Sequence, residues 1–207
     1  MTDYIQGIDV SHHNGVIDWA RVASDASKPQ FVYLKATEGR SMADSQYNSN
    51  RAGAKVQGLL CGAYHFFVPS VAVEQQVTNF CQAVGSVKGE LPAMLDIESD
   101  GLAQPAYAAA VTQWLQQVSA KLGYTPAIYT NASFWRDKLG SFAPFQQYPL
   151  WIAHYTGAPQ PNLPPGAGGY TFWQYSDEGK VSGIAGAVDV NRFRGTPDQL
   201  KMLVCGA

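Results

Sequence analysis

Eight short apolar runs punctuate this chain, and each closes on polar or aromatic residues. The runs are Tyr4–Val10, Phe31–Thr37, Leu59–Phe67, Pro92–Glu98, Pro126–Asn131, Pro149–Tyr155, Thr171–Ser176 and Val188–Phe193. They are rich in β-branched or aromatic residues and bounded by Gly, Pro, Asn or Ser, the marks of strands. Helical patterns lie between them. Val73, Val77, Phe80 and Val84 recur on one helix face. Tyr107, Val111, Trp114, Leu115, Val118 and Leu122 line a longer helix that stops at Gly123. Ile17–Ala26, Gln46–Val56 and Ser133–Leu139 read as shorter helices. Strands alternating with helices predict parallel strands with covering helices, and eight such strands close a barrel. At 207 residues the chain is short for that fold, which takes about 250. The deficit falls after the fifth strand, where Pro/Gly-rich stretches such as Pro159–Gly169 leave no room for helices. The expectation is an α/β fold, a single irregular TIM-like (β/α) barrel over residues 1–207. It has eight mostly parallel strands and is helix-poor on its C-terminal side.

Barrels of this kind place chemistry at the C-terminal strand ends. Here those ends carry Asp9, Lys35, Tyr64-His65-Phe66, Asp96-Ile97-Glu98, Tyr129, Trp151 with His154-Tyr155, Trp173-Gln174 and Asp189. The sharpest element is Asp96-Ile97-Glu98. Alternate strand residues face one side, so both carboxylates point into one space, their Cα atoms about 6–7 Å apart. Converging buried carboxylates raise one another's pKa, the condition a general acid needs near neutral pH. An isolated Asp-x-Glu is more often a loop cap at Glu98 with an Asp96–Lys35 or Asp96–Arg192 pair. Asp9 and Asp189 at the same mouth turn the balance towards chemistry.

Other classes find less support. A metal site built on His12, His13, His65 and His154 lacks any HxH or HxxxH pair, and those histidines read better as hydrogen-bonding groups at the cavity rim. Lys35 fits a neutralising role towards the carboxylates better than a Schiff base. Tyr64, Tyr129, Trp151, Tyr155 and Trp173 fit sugar-stacking walls, with core filling as the bland alternative. There is no phosphate loop, dinucleotide fingerprint or GxSxG elbow. Fourteen Lys and Arg against 16 Asp and Glu, with no basic run, give no footprint for nucleic acid. No apolar run reaches the roughly 20 residues of a membrane helix. The N-terminus lacks the pattern of a signal peptide. Cys61, Cys81 and Cys205 are odd in number and form no CxxC pair, so at least one is a free thiol.

The motifs also carry a family resemblance. Gly7-Ile8-Asp9-Val10-Ser11-His12-His13-Asn14-Gly15 followed by Ile17-Asp18-Trp19 resembles the opening of the family 25 glycoside hydrolases, the Chalaropsis-type lysozymes or N-acetylmuramidases. Tyr33–Gly39, Gly62–Phe66, Leu95–Glu98, Ile128–Thr130, Trp151–Tyr155, Trp173–Tyr175 and Val188–Asn191 follow in that family's order, so the likeness runs from Tyr4 to about Phe193. It implies a cofactor-free hydrolase, without metal, that cuts the β-1,4 bond between N-acetylmuramic acid and N-acetylglucosamine in peptidoglycan. By that resemblance Glu98 matches the general acid, Asp96 its partner carboxylate, and Asp9 and Asp189 further acids of the cleft. Expected glycan-binding residues are Lys35, Tyr64, His65, Phe66, Tyr129, Trp151, His154, Trp173 and Gln174. The expected partner is the glycan strand, met at the bacterial cell wall by a monomer exported through lysis or a leaderless route, with no separate cell-wall-binding domain and no membrane insertion. An inert glycan-binding barrel would be expected to lose Glu98 or Asp96, and both are present. A metal-dependent deacetylase would need differently spaced histidines.

Overall fold

The structure, a computed structural model, describes residues 4–206. Its strands, in chain order, are β1 (Tyr4–Val10), β2 (Phe31–Glu38), β3 (Met42–Ala43), β4 (Leu60–Phe66), β5 (Met94–Asp96), β6 (Ala127–Asn131), β7 (Leu150–Ala153), β8 (Phe172–Gly179) and β9 (Val188–Arg194). Its helices are α1 (Trp19–Ala23), α2 (Tyr47–Val56), α3 (Val73–Val84), α4 (Gln104–Leu122), α5 (Ala132–Lys138) and α6 (Pro197–Met202). Eight strands form a closed barrel in the order β1-β2-β4-β5-β6-β7-β8-β9, because β1 pairs with both β2 and β9. Two-residue β3 is only an antiparallel flap on the end of β2.

The eight predicted runs are the eight barrel strands, with one difference of direction. From β1 to β8 the neighbouring barrel strands are parallel, but β9 runs antiparallel to both β8 and β1. The reason is length. Only residues 180–187 join β8 to β9, and a parallel return needs a crossover of a dozen or more residues. Consequently Asp189, near the start of β9, stands opposite Asp9, near the end of β1, while Tyr4 stands opposite Arg194 at the other end. No helix lies between β7 and β8 or between β8 and β9, so the C-terminal side is as bare as its Pro/Gly content implies.

Two apolar layers hold the barrel. Its inside is filled by Ile5, Phe31, Tyr33, Leu91, Met94, Trp151, Phe172 and Phe193. The Phe31 and Tyr33 rings lie across neighbouring strands at Gly7 and Gly62. A Cβ at either glycine would fall 2.4 or 2.3 Å from those rings, so no larger residue fits. The second layer lies between strands and helices. It buries Val73, Val77, Phe80 and Val84 of α3, and Tyr107, Val111, Trp114, Leu115 and Val118 of α4. At about 1.5–3 kcal/mol per buried large apolar side chain, each of these two faces contributes several kcal/mol to the outer layer. Helix α1 is shorter than the predicted 17–26 segment, starting after the Asp18 cap, whose carboxylate accepts from the Arg21 amide. Helix α6 adds an element to the sequence-predicted set. Its signals were present: Thr196 and Gln199 form a capping box around Pro197, and Leu200 plugs the foot of the barrel.

Candidate active site

The period of two along each strand decides which side chains enter the barrel mouth. Asp9 of β1, Lys35 of β2, Tyr64 and Phe66 of β4, Asp96 of β5, Tyr129 of β6, Trp151 of β7, Gln174 of β8 and Asp189 of β9 all line one cavity of about 390 Å³. Asp9 sits at its floor. One oxygen, Oδ2, accepts from Asn191 Nδ2 at 2.7 Å and from Gln174 Nε2 at 2.9 Å. Those amides are themselves fixed. Trp151 Nε1 donates to Asn191 Oδ1 at 3.0 Å, and the Tyr129 and Tyr155 hydroxyls donate to Gln174 Oε1 at 2.7 and 2.8 Å. Burial lifts Asp9 above the usual carboxylate range, while hydrogen bonds from Asn191, Gln174 and Asp189 pull it back. Asp189, half-buried beside it, is pushed up to about 8 by burial and then by the Asp9 charge. The upward shift at Asp189 favours its protonated form, the direction that suits a hydrogen bond to the Asp9 carboxylate.

The second pair stands on β5. That strand ends at Asp96, yet the chain stays extended for two more residues. The Ile97 amide donates to the Tyr129 carbonyl at 3.0 Å, and Thr130 Oγ1 donates to the Ile97 carbonyl at 2.7 Å. Ile97 is fully buried behind the wall, so Asp96 and Glu98 share the cavity side. Asp96 is buried, and among the described residues its Oδ1 has no hydrogen-bond partner. Its burial and the neighbouring Glu98 and Asp9 charges hold it well above the usual range, with Lys35 opposing. Glu98 opens to the groove but is raised too, first by the partly dehydrating walls and then by Asp9. Lys35 Nζ donates to Glu38 Oε2 at 2.7 Å and lies 5.0 Å from the Phe66 ring, so no direct bridge neutralises Asp96. Arg192 is not its partner either, being stacked on Tyr4, Trp173 and Tyr175.

Beyond Glu98, Tyr129 and Tyr155 the groove widens into an adjoining chamber of about 760 Å³. Its walls include His154, Asn131 and Arg136, with Asn162, Leu163 and Pro165 from the Pro/Gly-rich segment. The groove thus has an acid-rich deep part and an open part that meet at Glu98.

Two expected contact residues lie elsewhere. His65 is fully buried behind β4, stacked on Trp114, with Nδ1 2.7 Å from Thr37 Oγ1 and Nε2 3.1 Å from Gln76 Oε1. Burial lowers its pKa to about 4, so it stays neutral. Trp173 is fully buried too, its Nε1 donating to the His154 carbonyl at 2.8 Å. Both supports stand behind the wall because their neighbours Tyr64, Phe66 and Gln174 take the inward positions. His154 borders only the open chamber. Asn191 and Asp177 are not among the sequence-predicted site residues. Asn191 follows Asp189 by two residues, so alternation puts it on the inward face. Exposed Asp177 lies at the far end of β8, past the reach of a strand-end argument.

Comparisons with known proteins show the family and the fold. Residues 8–184 match the family model described as glycosyl hydrolases family 25. The chain is 41% identical over 207 residues to Uncharacterized protein YegX of Escherichia coli (strain K12), covering 98% of this chain and 74% of that one. It is 36% identical over 214 residues to Lysozyme M1 of Streptomyces globisporus, covering 98% and 72% respectively. Among solved structures, the bacterial lysozyme from Streptomyces coelicolor superposes with a TM-score of 0.92 at 35% identity, covering 99% of this chain and 98% of that one.

Proposed function

The chain belongs to glycosyl hydrolase family 25, and from that premise we propose how a peptidoglycan hydrolase of the lysozyme (N-acetylmuramidase) type works with these residues. Its substrate is the glycan strand of the bacterial cell wall, cut at the β-1,4 bond from N-acetylmuramic acid to N-acetylglucosamine. One observation carries the assignment of roles: Asp96 and Glu98 share one side of an extended segment at the junction of the deep and open parts of the groove. Glu98, the longer and more exposed acid, protonates the glycosidic oxygen.

Side chains two residues apart on one strand cannot reach opposite faces of one sugar, which disfavours an ordinary pair of acid and nucleophile. The substrate's own 2-acetamido oxygen supplies the nucleophile instead. It bonds to the anomeric carbon as the C–O bond to the leaving sugar breaks and Glu98 transfers its proton. Asp96 accepts from the acetamido N–H, which favours its anion, leaves the pair's proton on Glu98, and stabilises the positive oxazolinium ring. Water activated by the Glu98 carboxylate then opens that ring and restores the acetamide. The anomeric configuration is retained. Asp9 and Asp189 take no proton from the substrate; they shape the field and the floor. All these groups lie on one barrel, so a monomer suffices.

The test is mass spectrometry of purified peptidoglycan after digestion. Reducing-end N-acetylmuramic acid is the expected product; reducing-end N-acetylglucosamine, deacetylated but uncut glycan, or no release would each overturn the assignment.

A further inference from the structure

The open chamber beyond Glu98 differs chemically from the deep part of the groove. Asp9, Asp96 and Asp189 border only the deep part, while Glu98, Tyr129 and Tyr155 border both. The polar side chains particular to the chamber offer donors. His154 Nδ1 accepts from the Asn162 amide at 3.0 Å, which fixes the tautomer and makes Nε2–H the ring's donor. Asn131 uses its carbonyl oxygen to accept from the Phe134 amide at 2.8 Å and from Ser133 Oγ at 2.6 Å, so its NH₂ is the group left for a ligand. Among the described residues the Arg136 side chain is held only by its chain neighbour Asp137, at 2.8 and 3.3 Å, with both side chains more than half exposed. Such an exposed pair contributes little and yields readily to a better-placed anion.

Resting on the reading above, we propose that Arg136, His154 and Asn131 form a carboxylate-recognition subsite for the leaving-group side of the glycan. A general acid stands between the sugar under attack and the sugar that departs. The attacked sugar lies against Asp96, so the chamber across Glu98 receives the departing strand. A strand of peptidoglycan presents carboxylates from two sources. One is the lactyl group of muramic acid where no peptide is attached; the other is the peptide stem itself. Arg136 suits either, because a guanidinium binds a carboxylate through two parallel hydrogen bonds.

The experiment uses four glycans: intact strands with peptide stems, strands stripped of peptide, and each of these after conversion of every carboxyl to carboxamide with carbodiimide and ammonia. Amidation should raise KM for the wild-type chain about tenfold while kcat changes little, the effect of one charge-assisted hydrogen-bonded contact. Arg136→Gln should lose that sensitivity, and Arg136→Lys should recover part of it. Sensitivity confined to intact strands assigns the peptide carboxylates; sensitivity on stripped strands assigns the lactyl group. If the wild-type chain digests native and amidated glycans with the same KM, or if Arg136→Gln keeps the full amidation effect, the subsite is wrong. Failure to release fragments from any of the four glycans would instead count against the hydrolase reading.

Discussion

The cleft contains two pairs of carboxyls that are held in different ways. Asp9 and Asp189 meet across the antiparallel β1–β9 seam, and Asp9 is tied by Asn191 and Gln174, which are tied in turn by Trp151, Tyr129 and Tyr155. Asp96 and Glu98 share one extended segment, and among the described residues Asp96 Oδ1 has no donor. The first pair is anchored by fixed donors on Asp9. The second is deliberately unsatisfied, so the ligand decides which member is ionised. Burial raises all four carboxyls, and a neighbouring acid's charge adds to it for Asp189, Asp96 and Glu98, yet only the pair without fixed donors can hand a proton over.

Breaking the loose pair should have the largest effect. Glu98→Gln should lower kcat by about 10²–10⁴, the range for losing a general acid, with circular dichroism unchanged. Near-wild-type turnover would sink the assignment. Asp96→Asn should follow, with kcat down about 10²-fold, the lower part of the span for losing one preorganised electrostatic contact. Proton NMR of the first-formed product should show the retained anomer, and a glycan lacking the N-acetyl group on the cleaved sugar should resist the enzyme. An inverted first product would rule out acetamide participation.

Changes to the fixed pair should cost less. Asp9→Asn and Asp189→Asn should each lower kcat/KM about tenfold, corresponding to roughly 1.4 kcal/mol of transition-state stabilisation. If either equalled Glu98→Gln in damage at unchanged stability, that acid would have to join the catalytic pair. The fixed pair also sets a pH dependence of stability. Asp189 titrates near 8 in the folded chain and in the ordinary carboxylate range when unfolded. Between those values the native state binds more protons, so stability falls as pH rises and its contribution is lost through pH 8. Asp189→Asn should flatten that decline and raise Tm at pH 8 by a few degrees, at about 2–4 °C per kcal/mol for a domain of this size. Calorimetry at pH 5 and pH 8 reads the difference; an equal Tm change at both values would refute the linkage.

The smallest effect on catalysis is expected at His65. His65→Gln should leave KM and kcat within about twofold while lowering Tm, since an unmade buried hydrogen bond costs about 1–3 kcal/mol. A selective rise in KM without loss of stability would return His65 to the sugar.

Much of this arrangement was legible in the sequence. The α3 and α4 faces repeat at helix spacing, and their predicted residues are buried, apart from Leu122 in the last turn, which is only partly so. Direction was not legible in β9, because an alternating pattern reads the same from either end; the short 180–187 connection carried the information. His65 and Trp173 were misplaced for another reason. Position at a strand end says which mouth a residue is near, but only parity says which side of the wall it occupies. Tyr64 with Phe66, and Phe172 with Gln174, already fixed that parity. Asp177 had no such signal, since β8 carries it beyond the barrel.

The antiparallel last strand has a consequence for how the barrel can be joined to other things. Because Tyr4 pairs with Arg194, the chain enters and leaves the sheet on adjacent strands at the foot, with the cleft at the opposite end. A fusion at either terminus would depart from the face turned away from the glycan, and a linker at that foot could join the two ends. A circularly permuted chain reopened at 180–187 would instead carry its new ends at the mouth beside Asp189, with the Asp9–Asp189 seam preserved, so the same barrel offers attachment either at the foot, a barrel length from the working surface, or at the rim of the cleft itself.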